Sequence, residues 1–247
     1  MSVFRFKNFS VTNEKSAMKV NTDGVLLGAV LTVKPSDRHI LDVGTGTGTI
    51  ALMVAQRLSA LSGETPREAM IEAIDIDEAS AEEAALNFQA SPWSSVLSAR
   101  HISLDDYILS DGGAGRFDLI FSNPPYFEDS LQAPAARRNK ARHTTSGLSY
   151  RELLEFSSSA LTADGRFSIV LPAETEQNLL RHARMCGLFP FRTVRVRTVP
   201  RKAPGRIIVE FSSIRTVNPE DLMLTIQNEG RYTEEYLSLT HDFYLFA

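Results

Sequence analysis

Three glycines at alternate positions in Leu41-Asp42-Val43-Gly44-Thr45-Gly46-Thr47-Gly48-Thr49, set between an apolar run and a helix-like one, constrain this chain more than any other feature. Glycine permits tight curvature and close approach of a ligand, so the run reads as a strand turning sharply into a helix at a nucleotide site. His39–Val43 supplies the strand, and Ile50, Met53, Val54, Leu58 and Leu61 recur at helical spacing behind the loop. The alternation then continues. Strands are expected at 70–76, 96–103, 117–122 and 165–171, with helices at 77–90, 150–163 and 174–186, the first of these stopped by Ser91-Pro92. Ser149 and Glu152 form a capping box for the helix at 150. Two β-rich segments, 191–199 and 206–213, flank a turn at 200–205. The expectation is an α/β fold: a seven-stranded, mostly parallel sheet ended by an antiparallel C-terminal hairpin, with helices on both faces.

With 247 residues, 43% of them hydrophobic, the chain is long enough for one well-buried domain. Its lone cysteine, Cys186, excludes a disulfide framework and a multi-cysteine metal site, so no metal is expected. The N-terminus lacks a signal-peptide pattern and no apolar run is long enough to span a bilayer, so the expected setting is cytoplasmic, with no membrane partner. No obligate protein partner is evident.

The glycine register departs from the dinucleotide fingerprint, which wants glycine or alanine where Thr49 stands. Asp42-x-Gly44-x-Gly46-x-Gly48 instead resembles motif I of the class I methyltransferases, a Rossmann-like family. That resemblance implies S-adenosyl-L-methionine as cofactor, with Asp42, Gly44, Thr45, Gly46 and Gly48 at its methionyl part. Asp75, at the tip of the second strand, stands where α/β nucleotide folds place a carboxylate for ribose hydroxyls. Asp77 is the competitor, but reads better as the cap of the next helix. The adenine-contacting register after the third strand holds Ser103 and Leu104, with Asp105 and Asp106 slightly late. Ser103 and Asp105 therefore both stay open as the adenine contact.

Asn123-Pro124-Pro125-Tyr126 follows the fourth strand, at the carboxyl edge where open α/β sheets bind ligands. An aromatic amine is a poor nucleophile because its lone pair is delocalised into the ring. The Asn123 side-chain oxygen and the Pro124 carbonyl offer two acceptors that hold both amino hydrogens and free that lone pair. Pro124 and Pro125 stiffen the backbone and bring no competing N–H donor. Tyr126 offers a stacking face for a base removed from its stack. These residues are the expected catalytic set.

The N-terminal run from Phe4 to Lys7 and from Met18 to Gly28, the Asp42 loop, Asn123 to Tyr126, and Asp242-Phe243-Tyr244-Leu245 together resemble the bacterial enzymes that methylate adenosine thirty-seven of a valine tRNA. The resemblance spans nearly the whole chain and implies tRNA as partner. It also implies that Lys19, Thr22 and Asp23 lie over the cofactor pocket, so that residues 1–38 form an extension covering it and 39–247 the core. From the residues alone, Thr22 or Asp23 reads only as the cap of a short apolar helix.

The formal net charge of −4 argues against coating nucleic acid by charge alone, but two acid-free basic stretches give local purchase. Arg137, Arg138, Lys140 and Arg142 follow the catalytic tetrapeptide; Arg192, Arg195, Arg197, Arg201, Lys202 and Arg206 belong to the hairpin. Phosphate contacts of this kind position a nucleic acid without reading it. The bland reading of the hairpin is a charged rim that protects an edge strand. Rival functions are glutamine methylation in release factors, which poses the same lone-pair problem, DNA-adenine methylation, and a catalytically silent RNA-binding module.

Overall fold

The chain enters through an antiparallel hairpin, β1 (Val3–Arg5) and β2 (Ser10–Thr12), whose Phe6, Phe9 and Val11 turn into the core. The computed structural model describes residues 2–16, 18–63, 68–110, 114–125 and 148–246. Helix α1 (Thr22–Val30) is apolar all round and is buried from Gly24 onward, as such a helix must be. Its cap is Asn21, not Thr22 or Asp23: Asn21 Oδ1 accepts from Gly24 N at 2.9 Å. At the other end, Arg57 donates to the carbonyls of Gly28 and Leu31.

Then follow β3 (His39–Val43), α2 (Thr49–Ser62), β4 (Met70–Asp75), α3 (Glu78–Gln89), β5 (Leu97–His101), α4 (Leu104–Ser110) and β6 (Phe117–Ser122). Helix α5 (Tyr150–Ala160) begins at the expected capping box, both halves of which are made by Ser149 and Glu152. It stops three residues short of the expected end because Leu161 turns extended and pairs with Phe117, opening β7 (Leu161–Pro172). A 3-10 turn, Ala173–Thr175, leads into α6 (Glu176–Met185), then β8 (Phe189–Arg197), β9 (Arg206–Ser212) and β10 (Glu220–Thr225). A small hairpin, β11 (Gln227–Asn228) with β12 (Arg231–Tyr232), and α7 (Glu234–Thr240) complete the chain.

The main sheet has the order β10-β8-β9-β7-β6-β3-β4-β5. All its pairings are parallel except those of β9, which runs against both β7 and β8. The hairpin is therefore present, but the sheet is mixed and, among the described residues, has eight strands and not seven. The added strand, β10, joins β8 in parallel from Glu220 opposite Arg192 to Thr225 opposite Arg197. Four of its six residues are exposed, so it lacks the alternation by which strands are read from sequence.

Alternate strand residues feed two cores. Ile40, Leu119, Val170, Val194 and Ile208 pack with α1 and α2 on one face; Leu41, Ile120, Ile169 and Val209 pack with α5 and α6 on the other. Among the described residues, no helix is long and apolar enough to cross a membrane. Strand order reverses between β3 and β6, and it is at such a switch point that open α/β sheets form their ligand crevice.

Candidate active site

The glycine loop leaves β3 at this crevice. Gly44 and Thr45 donate their amides to Ile74 O at the end of β4, and Gly48 N returns to Thr45 O, so the loop is wound against the sheet edge. Gly44, Gly46 and Gly48 take φ values of +72°, +58° and +79°, the left-handed region that favours glycine. Gly46 N donates to Asp75 Oδ2 at 2.8 Å, which fixes the carboxylate beside the loop. Asp77 accepts from Ser80 N and caps α3, as its position suggested.

The same crevice receives Asn123, Pro124 and Pro125 of the expected catalytic set. Ser122 Oγ donates to Val43 O at 2.7 Å, tying the end of β6 to the end of β3 and delivering Asn123 next to the glycine loop. Asn123 and Pro124 are buried and Pro125 is half-buried. The Asn123 amide nitrogen faces Met18 Sδ at 3.7 Å. One cleft is lined by Met18, Lys19, Val20, Asn21 and Gly24 from the N-terminal segment, by Gly44 to Thr47, Thr49 and Ile50, and by Asn123.

Of the residues singled out from sequence, Lys19, Gly44, Thr45, Gly46 and Asn123 thus share a wall, with Asp75 adjoining through Gly46. Others lie elsewhere. Gly48 turns its α-carbon toward Phe88 of α3. Thr22 is exposed, and Asp23 pairs with Arg206 at 2.8 Å, so neither lines the cleft. Ser103 follows β5 but engages Asp106, accepting its amide and donating to its carboxylate, while Leu104 is buried. Tyr126, Arg137, Arg138, Lys140 and Arg142 lie outside the described residues. Met18, Val20, Asn21, Gly24, Thr47, Thr49 and Ile50 also line the cleft without having been singled out; the signal was their place in the same two runs as Lys19 and the loop glycines.

Asp42 lies beneath the loop, 1% exposed, with Oδ2 accepting from Thr45 Oγ1 at 2.7 Å. Burial pushes its pKa up to about 7, against the pull of the Thr45 hydroxyl and with the help of the Asp75 charge. Burial also raises Asp75, although the Asp77 and Gly46 amides pull the other way. The sign for stability follows from linkage. The unfolded chain releases the Asp42 proton near 3.8 while the folded chain holds it to about 7, so folding becomes progressively disfavoured across that interval. Asp42→Asn is expected to gain stability relative to the parent chain as pH rises from about 4 to about 7. Urea midpoints at several pH values check this; a constant difference would remove Asp42 as the cause.

The basic hairpin does not form one open surface. Arg195 pairs with Glu176 and Asp221, Arg197 donates to Thr225 Oγ1 and Pro200 O, and Arg206 is held by Asp23. Arg192 reaches Val30 O and Glu210. Arg201 and Lys202 remain exposed on the β8–β9 connection, at the same carboxyl edge as Asn123 because β9 runs against both β7 and β8, which makes β8 parallel to β7 and β6.

Known proteins similar to this one point to its family. A family model described as the methyltransferase small domain matches residues 15–186. A relative from Bacteroides fragilis, named tRNA1(Val) (adenine(37)-N6)-methyltransferase, is 42% identical over 244 residues, 98% of this chain and 97% of its own. Relatives of the same name from Flavobacterium psychrophilum and Trichodesmium erythraeum are 36% and 38% identical over 98% of this chain, and over 99% and 97% of theirs. Among solved structures, a predicted O-methyltransferase from Agrobacterium tumefaciens has a TM-score of 0.63 at 16% identity, covering 90% of this chain and 96% of that one. At that identity the likeness speaks for the fold alone.

Proposed function

The chain belongs to the methyltransferase small-domain family, and from that premise we propose that it uses S-adenosyl-L-methionine to methylate the exocyclic amine of adenosine 37 in a valine tRNA. The class I methyltransferase fold and the names of relatives aligned over nearly the full length support this reading. The observation that carries it is the placement of Asn123, at the end of β6, in one cleft with Gly44 and Gly46.

The residues fit the cofactor: two left-handed glycines leave the loop without side chains at the cleft wall, and the Asp75 carboxylate stands beside it. Gly44 to Thr47, Lys19 and Asp75 would hold it. When bound, the cofactor supplies an electrophilic methyl group on a sulfonium centre. The protein's part is positioning. Asn123 and Pro124 accept the two amino hydrogens, drawing the nitrogen toward a tetrahedral shape with its lone pair free, and no strong base is required. Residues 1–38 and the core act as one unit in this reading, because Phe6, Phe9 and Val11 pack into the same core as α1 and α2.

Incubation with labelled cofactor and, in turn, unmodified tRNA, an oligodeoxynucleotide and a release factor tests the assignment. Label should enter tRNA alone; label in protein or DNA overturns it. Replacing Arg201 and Lys202 with alanine is expected to weaken tRNA binding and to reduce the slope of log K against log salt by about 1–2. An unchanged slope would make the two residues a solvated rim.

A further inference from the structure

The inward face of α3 carries polar side chains where an amphipathic helix should carry apolar ones. Ser80, Glu83 and Asn87 are 3%, 1% and 3% exposed, and their spacing puts them in one stripe. A buried polar group is costly unless bonded, and these three meet the N-terminal segment. Glu83 Oε1 accepts from Glu14 N at 2.7 Å and Lys15 N at 2.9 Å, and its Oε2 accepts from Ser16 N at 2.9 Å. Three successive amides thus converge on one carboxylate, as in a backbone nest. Ser80 Oγ lies 2.9 Å from Ser16 Oγ. Asn87 accepts from Thr12 N at 2.8 Å and donates to Thr12 O at 3.0 Å and to Thr47 O, in the glycine loop, at 2.9 Å.

The stripe therefore fixes residues 12–16 immediately before Met18 to Asn21 form the outer wall of the cleft. The approach is close: a Cβ added at Gly46 would lie 3.6 Å from Met18 O. Burial alone would raise the Glu83 pKa, yet the amides of Lys15, Ser16 and Glu14 and the Lys19 charge outweigh it and hold the carboxyl below its ordinary range. An ionised Glu83 is what an array of donors requires.

We propose that Ser80, Glu83 and Asn87 form a latch by which α3 holds the N-terminal segment closed across the cofactor cleft, making Glu83 a positioning residue for cofactor binding. The coupling to the cofactor rests on the function proposed above; the latch itself does not. Lys15 and Lys19 have exposed side chains, so trypsin reports directly on the segment. In the full chain, Glu83→Gln is expected to speed cleavage after these lysines and to weaken S-adenosylhomocysteine binding, each by about tenfold, because a charge-assisted cluster is lost. The turnover rate at saturating cofactor should change far less than KM for the cofactor. Glu82→Gln, on the exposed face, releases only the Lys15 ammonium and should leave cleavage after Lys19 and affinity unchanged. Should Glu83→Gln fail to fold, Ser80→Ala, which removes the bond to Ser16 Oγ, carries the same test. Parent-like cleavage together with parent-like affinity overturns the latch, and faster cleavage with unchanged affinity overturns its role in cofactor binding. If S-adenosylhomocysteine does not bind even the parent chain, the proposed function and the coupling both fall, while the cleavage rates still decide whether Glu83 holds the segment.

Discussion

Replacing Asn123 with alanine is expected to lower kcat for tRNA methylation by about 10²–10³, with the Kd for S-adenosylhomocysteine within about twofold of the parent chain. The division follows from what the side chain does. In the proposed reaction its oxygen accepts a hydrogen of the target amine, and that bond would strengthen as the nitrogen becomes tetrahedral, so its loss should fall on the rate. The loop that would hold the cofactor is fixed by other groups: the Gly44 and Thr45 amides on Ile74 O, and Gly46 N on Asp75. Alanine at 123 removes none of these. It does remove the hydrogen bond to Met18 Sδ, but a thioether sulfur is a weak acceptor. Asn123→Asp separates acceptor loss from shape. It keeps an oxygen for the amine but places the other where an amide nitrogen faced sulfur, and it buries a charge, so an intermediate rate is expected. Single-turnover rates and calorimetric titration read the two quantities separately. If affinity fell in step with rate, Asn123 would belong to the cofactor's side of the cleft and not to the amine's.

What the sequence made legible was what a local pattern determines. The strand, glycine loop and helix from His39 to Ser62, the strand delivering Asn123, and the capping box at Ser149 are each written in consecutive residues, and the structure repeats them. The illegible parts depend on partners distant in the chain. Arg195 sits in an acid-free run, yet Glu176 from α6 and Asp221 from β10 neutralise it. Asp23 looked like a cap or a cofactor residue, and its ion pair with Arg206 joins positions 183 residues apart. Ser103 was read in the register of an adenine contact, but it begins α4, a helix of seven residues too short to show a period. Along α3, Glu82 and Glu83 are the same residue type in adjacent positions. One is exposed and the other is buried under the N-terminal segment, and only the fold tells them apart.

Two of the three loop glycines should separate in the same way, although the sequence presents them as equivalent. Gly48→Ala is expected to destabilise the protein by about 2–5 kcal/mol, the sum of about 1–2 for a left-handed backbone and about 1–3 for overpacking. Its added Cβ would lie 2.5 Å from Phe88 Cε1 and 3.3 Å from Ala84 Cβ. The Phe88 ring is 2% exposed, so it has no open space into which to swing. Gly46→Ala meets the same backbone term at φ +58°, but its Cβ finds nothing nearer than 3.6 Å, so only about 1–2 kcal/mol of stability should be lost. That methyl group would stand in the cleft opposite Met18, and S-adenosylhomocysteine affinity should fall by about tenfold or more as contacts with the bare backbone are blocked. Gly48→Ala protein that remains folded should bind the same ligand with much less change, since its α-carbon faces α3. Urea unfolding and calorimetry on both variants give the comparison. Equal stability losses would mean that backbone conformation alone demands glycine at 48, and a loss of affinity confined to Gly48→Ala would reverse the assignment of the two positions.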